Sequence, residues 1–247
     1  MTEIRTKGQL AKQASYKMNT LTTAQKNAAL QAIAQQLRDD CAQIVESNKI
    51  DLQNGATAGL PSSTLDRILL NEQRIHAMAD AILLLIDLPD PVGELLEDFT
   101  KDNGLHVQKV RVPLGVVAMI YEARPNVTVD AATLCLKTGN AVVLRGSSSA
   151  KHSNIALVKA IHDALAKTDC PVDAVQLIED TSREAAAELF HLKEYIDVLI
   201  PRGGAALINL VVREASVPVL ETGAGNCHVF IDHSAPVDMT TSIVLNA

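Results

Sequence analysis

The sequence contains no tryptophan, and aromatic residues make up only 2% of its 247 positions. Proteins that bind single-stranded nucleic acids usually stack bases on aromatic side chains. The net charge of −7 is also opposite in sign to the basic surface that such proteins need. Continuous apolar stretches are far shorter than the ~20 residues of a membrane-spanning helix. We therefore expect neither a nucleic-acid-binding protein nor a membrane protein.

Cysteine is scarce and scattered, and no Cys-x-x-Cys pair occurs among Cys41, Cys135, Cys170 and Cys227. The seven histidines do not cluster with them, so we predict no metal site. Unpaired cysteines at such spacing are typical of a reduced, cytoplasmic compartment. Cys227 is followed by His228, but neighbouring residues of a strand point to opposite faces. We interpret Cys227 as a buried structural residue rather than a nucleophile.

Hydrophobic residues are plentiful at 47%, and their spacing divides the chain into three parts. Residues 1–88 carry apolar side chains at three- and four-residue steps, which predicts a group of helices. Residues 94–112 form two short polar-apolar stretches around Asn103-Gly104, a sequence that favours a tight β-hairpin. The exposed character of these stretches predicts that the hairpin projects from the body of the protein.

Residues 114–247 alternate between short apolar runs and helical patterns. Such alternation is typical of βαβ units and of a parallel sheet covered on both faces. The sequence therefore predicts an α/β fold with a doubly wound, Rossmann-like parallel sheet, preceded by N-terminal helices. The expected strands are Gly115–Ile120, Ala141–Leu144, Ala174–Ile178, Ile196–Ile200, Val217–Leu220 and Cys227–Ile231.

Two loops follow predicted strands and precede predicted helices. In the first, Arg145 is followed by small residues that include Ser148. In the second, Arg202 precedes the pair Gly203-Gly204. Helix N-termini bind phosphate through free N–H groups, and small residues let a ligand approach the backbone. The two loops together suggest a nucleotide site, although the first alone is more typical of an ordinary connection and the second alone is a weak motif.

Two further segments end predicted strands with polar residues. Tyr121–Asn126 contains Arg124, suited to a carboxylate or phosphate, and Asn126, which could donate to an oxyanion. Glu221 stands beside glycines and could face a cleft. The alternative for the first segment is a structural turn with a paired arginine.

The runs that carry these residues resemble those of one enzyme family. VPLGVVAMIYEARPNVTVDAA, LCLKTGNAVVLRG, YIDVLIPRGGAALI and PVLETGAGNCHVFID are similar to the gamma-glutamyl phosphate reductases, within the aldehyde dehydrogenase superfamily. The resemblance implies NADPH-dependent reduction of gamma-glutamyl phosphate to glutamate-5-semialdehyde and phosphate, in proline biosynthesis. It implies that 1–247 form an NADP-binding domain and that the hairpin supports homo-oligomer formation.

The resemblance also implies roles for individual residues. Asn126 matches the oxyanion asparagine of the superfamily, and Arg145 matches a basic residue at the adenosine ribose. Ser148 stands where NAD-preferring relatives often carry a carboxylate, so NADP(H) is the expected cofactor. Gly203 and Gly204 match the turn under the pyrophosphate.

The resemblance supports the roles of two further positions less directly. Glu221 matches the superfamily's general base, but reduction of an acyl phosphate needs no activated water. Arg124 is our own candidate for a substrate contact. The resemblance places the nucleophilic cysteine after residue 247, so we expect a truncated chain that is inactive alone. The alternative is a short protein that binds a nucleotide or a partner without catalysis.

Overall fold

The computed structural model describes residues 1–223 and 228–246. Among these residues, helices and strands follow the predicted order of helices, hairpin and alternating elements. The helices are α1 Glu3–Met18, α2 Thr23–Asp39, α3 Cys41–Thr57, α4 Ser62–Ile68, α5 Glu72–Asp87, α6 Asn126–Lys137, α7 Lys151–Leu165, α8 Arg183–Phe190, α9 Ala205–Glu214 and α10 Val237–Asn246. The strands are β1 Leu95–Thr100, β2 His106–Val110, β3 Val116–Tyr121, β4 Ala141–Arg145, β5 Val175–Leu177 and β6 Val198–Arg202.

The N-terminal helices begin where local signals place them. Thr22 and Gln25 form a reciprocal capping box at the start of α2. α4 begins after Pro61, and no side chain caps it. The amide oxygen of Asn71 caps α5, by accepting from the backbone N–H of Arg74 at 2.8 Å.

The main sheet has the strand order β5-β4-β3-β6, and all its pairings are parallel. The chain moves outward from β3 to β5 on one side and then returns to place β6 on the other side of β3. Such a reversal opens a crevice at the carboxyl ends of the two strands that flank it. The topology therefore places any ligand between the ends of β3 and β6.

Two of the expected strands do not form as predicted. Within Val217–Leu220, only Val219 makes an isolated parallel bridge, to Leu199. Residues 228–231 are not in a strand, and Cys227 lies outside the described residues. Phe230 is 88% exposed, so this apolar run lacks the covering layers that make such a run a buried strand.

The predicted hairpin is present, with antiparallel strands β1 and β2. Its turn is tight and contains Gly104 in the left-handed conformation. Gly104 has a positive φ of 84°. Among the described residues, only glycines have a positive φ. The backbone N–H of Gly104 donates to Lys101 at 2.8 Å, and the N–H of Lys101 donates to Leu105 at 2.9 Å. Three residues thus form the loop, and only glycine takes the left-handed conformation.

The described helices include none with both the length and the apolar content needed to span a membrane.

Candidate active site

A cavity of about 510 Å³ opens at the carboxyl ends of β3 and β6, where the strand order reverses. Three arginines from different elements reach it: Arg67 from α4, Arg124 from the loop after β3, and Arg202 at the end of β6. Among the described residues, none of the three forms an ion pair within 4.0 Å. The cavity is therefore suited to an anionic ligand.

Gly203 of the expected glycine pair lines this cavity, and a carboxylate lies against the pair. The backbone N–H of Gly204 donates to Oε1 of Glu122 at 3.2 Å. A Cβ atom on Gly203 would come within 2.7 Å of the Glu122 carboxyl carbon. Because Gly204 precedes the first residue of α9, the carboxylate occupies the position that an anion takes at a helix N-terminus.

A second cavity, of about 460 Å³, adjoins the first through Arg67 and Arg124, which line both. Asn126, the first residue of α6, lines it, and its amide donates to Oδ2 of Asp130 at 3.1 Å. Burial raises the pKa of Asp130, while Asn126 and the charge of Arg202 oppose that rise. A partly desolvated carboxylate therefore fixes the amide expected to bind an oxyanion.

The arginine at the end of β4 is held by backbone carbonyls of the segment before α8. A terminal nitrogen of Arg145 donates to the backbone carbonyls of Thr181 at 2.6 Å and Ser182 at 3.0 Å. Burial lowers the pKa of Arg145, an effect that Asp180 opposes. Its Nε is buried and has no hydrogen-bond partner among the described residues. One donor is thus free, and such an atom commonly indicates a missing ligand or water.

A buried polar network joins the loop after β4 to β3. The hydroxyls of Tyr121 and Thr128 are 2.7 Å apart, and Thr128 donates to Asn154 of α7 at 2.8 Å. Burial raises the pKa of Tyr121, so this phenol remains a neutral hydrogen-bonding group. A Cβ on Gly146 would lie 2.2 Å from the Asn154 side-chain nitrogen. The glycine therefore lets the β4 loop pack directly on the network.

The structure brings together only part of the predicted set. Arg124 and Gly203 share the first cavity, and Arg124 and Asn126 share the second. Arg145 and Ser148 are not among the residues that line either cavity, although their neighbour Ser147 lines the first.

Glu221 is exposed and is also absent from both linings. Sequence reasoning missed Arg67, Glu122 and Asp130. Glu122 lies within the segment Tyr121–Asn126, and its negative charge next to Arg124 could have marked it as a site residue. Arg67 belongs to a helix far away in sequence, and no sequence signal connects it with the site.

A profile of the aldehyde dehydrogenase family matches residues 2–247, almost the entire chain. The chain belongs to this family. Its sheet, which reverses between β3 and β6, and the preceding helices are thus the family's architecture, as the sequence motifs implied.

Within the family, the chain is similar to gamma-glutamyl phosphate reductases. It is 61% identical over 247 residues to that of Bacillus velezensis and 60% identical to that of Bacillus subtilis. Each match covers 100% of this chain and 60% of the relative. The chain thus corresponds to the N-terminal part of these proteins and spans about three fifths of their length.

Solved structures give the same result for the fold. The crystal structure of gamma-glutamyl phosphate reductase from Thermotoga maritima matches with a TM-score of 0.90 and 42% identity, over 99% of this chain and 59% of that one. The Saccharomyces cerevisiae reductase matches with a TM-score of 0.83 and 31% identity, over 89% and 56% respectively.

Proposed function

We propose that this chain serves the NADP(H)-dependent reduction of gamma-glutamyl phosphate to glutamate-5-semialdehyde and phosphate, a step of proline biosynthesis. The observation that carries the proposal is the identity of about 60% over all 247 residues to relatives with that reductase name. Residues 1–247 would then form the NADP-binding domain. The three described cysteines are free thiols, which supports a cytoplasmic location.

Several residues fit an NADP(H) site. The buried, unpartnered Nε of Arg145 offers a donor to a ribose or its 2′-phosphate, and exposed Ser148 adds no negative charge there. Gly203 and Gly204 leave room for a pyrophosphate at the start of α9, beside Arg202. Glu122 would have to leave that position. The bound cofactor would supply the hydride that reduces the acyl group.

The neighbouring cavity fits the acyl phosphate. The Asn126 amide, held by Asp130, can donate to the oxygen on which negative charge develops during acyl transfer. Arg124 reaches both cavities and can bind a phosphate or carboxylate between them. In this proposal Glu221 activates no water, because reduction of an acyl phosphate requires none, and its exposed position agrees with that.

A chimera tests the activity. This chain would replace the matching N-terminal 60% of the Bacillus subtilis reductase. The reverse reaction would be measured as the phosphate-dependent reduction of NADP⁺ to NADPH by glutamate-5-semialdehyde. We expect activity comparable to the parent. Asn126→Ala should lower kcat by about 10²-fold, the typical effect of removing one oxyanion donor. Exposed Asn54→Ala is the matched control. A folded chimera without turnover would refute the proposal.

Cofactor binding is tested on the 247-residue chain itself. Titration with NADPH and NADH should show tighter NADPH binding. Arg145→Ala should weaken NADPH binding about tenfold, because a hydrogen bond to a charged group contributes about 1.5–3 kcal/mol. Arg38→Ala, on α2, is the control. Equal affinity for both nucleotides would contradict the NADP(H) preference.

The hairpin supports a proposed homo-oligomer. Every residue of β1 is exposed, including Phe99 at 45%, and an isolated two-stranded ribbon is only marginally stable in water. Sedimentation of the chain should show self-association that Phe99→Asp reduces and that Tyr16→Asp, another exposed aromatic position, does not. A monomer at high concentration would contradict this part of the proposal.

A further inference from the structure

The second cavity combines an apolar wall with charges of both signs. Leu69, Leu70 and Met78 contribute apolar surface from α5 and the segment before it. Asp130 on α6 supplies a partly buried carboxylate to the same lining. Cavities of this composition bind small molecules that have a short aliphatic chain and a few polar ends.

The positive charges of this cavity fall into two groups. Arg74 is already engaged, since it pairs with Asp66 at 2.8 Å and donates to the Leu69 carbonyl at 3.0 Å. Arg67 and Arg124 have no carboxylate partner in the described part of the chain. Two guanidinium groups are therefore available to an incoming carboxylate, a partner that they bind through paired hydrogen bonds.

Of the two carboxylates that line the cavity, Asp66 is paired with Arg74, and Asp130 is available. Asp130 accepts a hydrogen bond from the Asn126 amide through Oδ2 alone, and its other oxygen has no side-chain donor in the described structure. Asp130 lies one helical turn beyond Asn126. A ligand with its acyl oxygen at Asn126 could thus place a cationic group at Asp130 with only a few bonds between them.

We propose that this cavity binds the α-amino-acid end of a glutamate-like ligand, with Asp130 contacting the α-ammonium group and Arg67 together with Arg124 contacting the α-carboxylate. The inference rests on the proposed function, and it names the residues that would select an amino acid over a simple acyl phosphate. A ligand without the ammonium group would leave the Asp130 carboxylate with no direct ionic partner among the described residues, because the charge of Arg202 acts on it only from beyond 4.0 Å.

The test compares three probes that differ by one charged group each. L-glutamate carries both α groups, glutarate lacks the ammonium, and 4-aminobutyrate lacks the α-carboxylate. Ligand-observed NMR on the 247-residue chain should rank glutamate first, with each of the others at least fivefold weaker.

Two variants and a matched control assign the contacts. Asp130→Asn keeps an oxygen to accept from Asn126 but removes the charge, so glutamate should bind about tenfold more weakly, whereas glutarate, which has no ammonium group, should bind no more weakly than to the native chain. Arg67→Gln should weaken glutamate and leave 4-aminobutyrate unaffected. Asp66→Asn, in the same cavity but paired with Arg74, should weaken neither glutamate nor 4-aminobutyrate.

The outcomes separate this inference from the proposed function. Equal binding of glutamate and glutarate, or equal weakening by Asp66→Asn and Asp130→Asn, would overturn the assigned contacts while an active chimera still supported the reductase. An inactive chimera with the predicted probe ranking would overturn the reductase and leave an amino-acid site.

Discussion

The loops after β4 and β6 have similar sequences but different surroundings. Each places an arginine and a glycine between a strand and a helix, and sequence alone predicted a phosphate contact at both. Gly146, after β4, lies against the buried amide of Asn154. Gly203, after β6, lies against the exposed side chain of Glu122. The glycine thus contacts a fixed side chain in the β4 loop and a movable side chain in the β6 loop.

This difference indicates which of the two glycines serves packing and which leaves room for a ligand. Asn154 is held by Thr128 within a buried network, so it cannot withdraw without leaving polar groups unsatisfied. Glu122 contacts solvent and can rotate away at little cost. We infer that the β4 glycine is needed for the fold, whereas the β6 glycines are available to a ligand.

The largest expected effect is on stability. Gly146→Ala would force Cβ into the space of the Asn154 amide, so the free energy of unfolding should fall by about 2 kcal/mol, as for other overpacked sites. Gly203→Ala should cost less than about half of that, because Glu122 can move. Urea unfolding of both variants measures the difference. Equal losses would remove the distinction between the two loops.

A double variant sharpens the same point. Asn154→Ala should itself cost about 2 kcal/mol, since Thr128 loses its acceptor. In that background, Gly146→Ala should cost about 1 kcal/mol less than in the native chain, because the colliding amide is gone. Unfolding of all four members of the cycle gives the coupling. Additive losses would show that another contact limits Gly146.

The next prediction concerns the movable side chain, Glu122. Glu122→Gln removes a negative charge from the start of α9, so NADPH should bind about threefold to tenfold more tightly, equivalent to ~1 kcal/mol between nearby charges in a high-dielectric site. Isothermal titration of the chain measures the change. Glu184→Gln, at the first turn of α8, is the control. Unchanged affinity would mean that the ligand does not approach these glycines.

The smallest expected effect is at the exposed end of the β4 loop. Ser148→Asp should weaken NADPH binding about threefold and leave NADH binding unchanged, because an exposed charge pair contributes about 0.2–1 kcal/mol. Competitive titration of the two nucleotides measures the ratio. A similar loss for both would indicate a general charge effect rather than recognition of the 2′-phosphate.

Local pattern was enough to predict most of the fold. Apolar periodicity predicted that residues 1–88 are helical and located the strands β3 and β4, because each element buries its face in the way that its period requires. The pattern was wrong for residues 228–231, whose apolar side chains are exposed. An apolar run forms a strand only where a neighbouring strand and covering layers are present.

The sequence by itself determined the family and the residue types of the candidate site. Asn126, Arg124 and the glycine pair could be identified from short motifs, since the local chain holds each of them at a strand end or helix start. Arg145, Ser148 and Glu221 were identified in the same way, but they lie outside the linings of both cavities. The position of a residue in the sequence does not show which neighbouring groups its side chain binds in the folded protein.

Only the tertiary structure decided how the charges are arranged. It placed Arg67, from α4, beside residues more than fifty positions later, and it showed that carbonyls of residues 181 and 182 already engage Arg145. It also showed Glu122 at the glycines and Asp130 at the Asn126 amide. These contacts depend on which strand ends meet at the reversal of the sheet, a property of the whole topology rather than of any local segment.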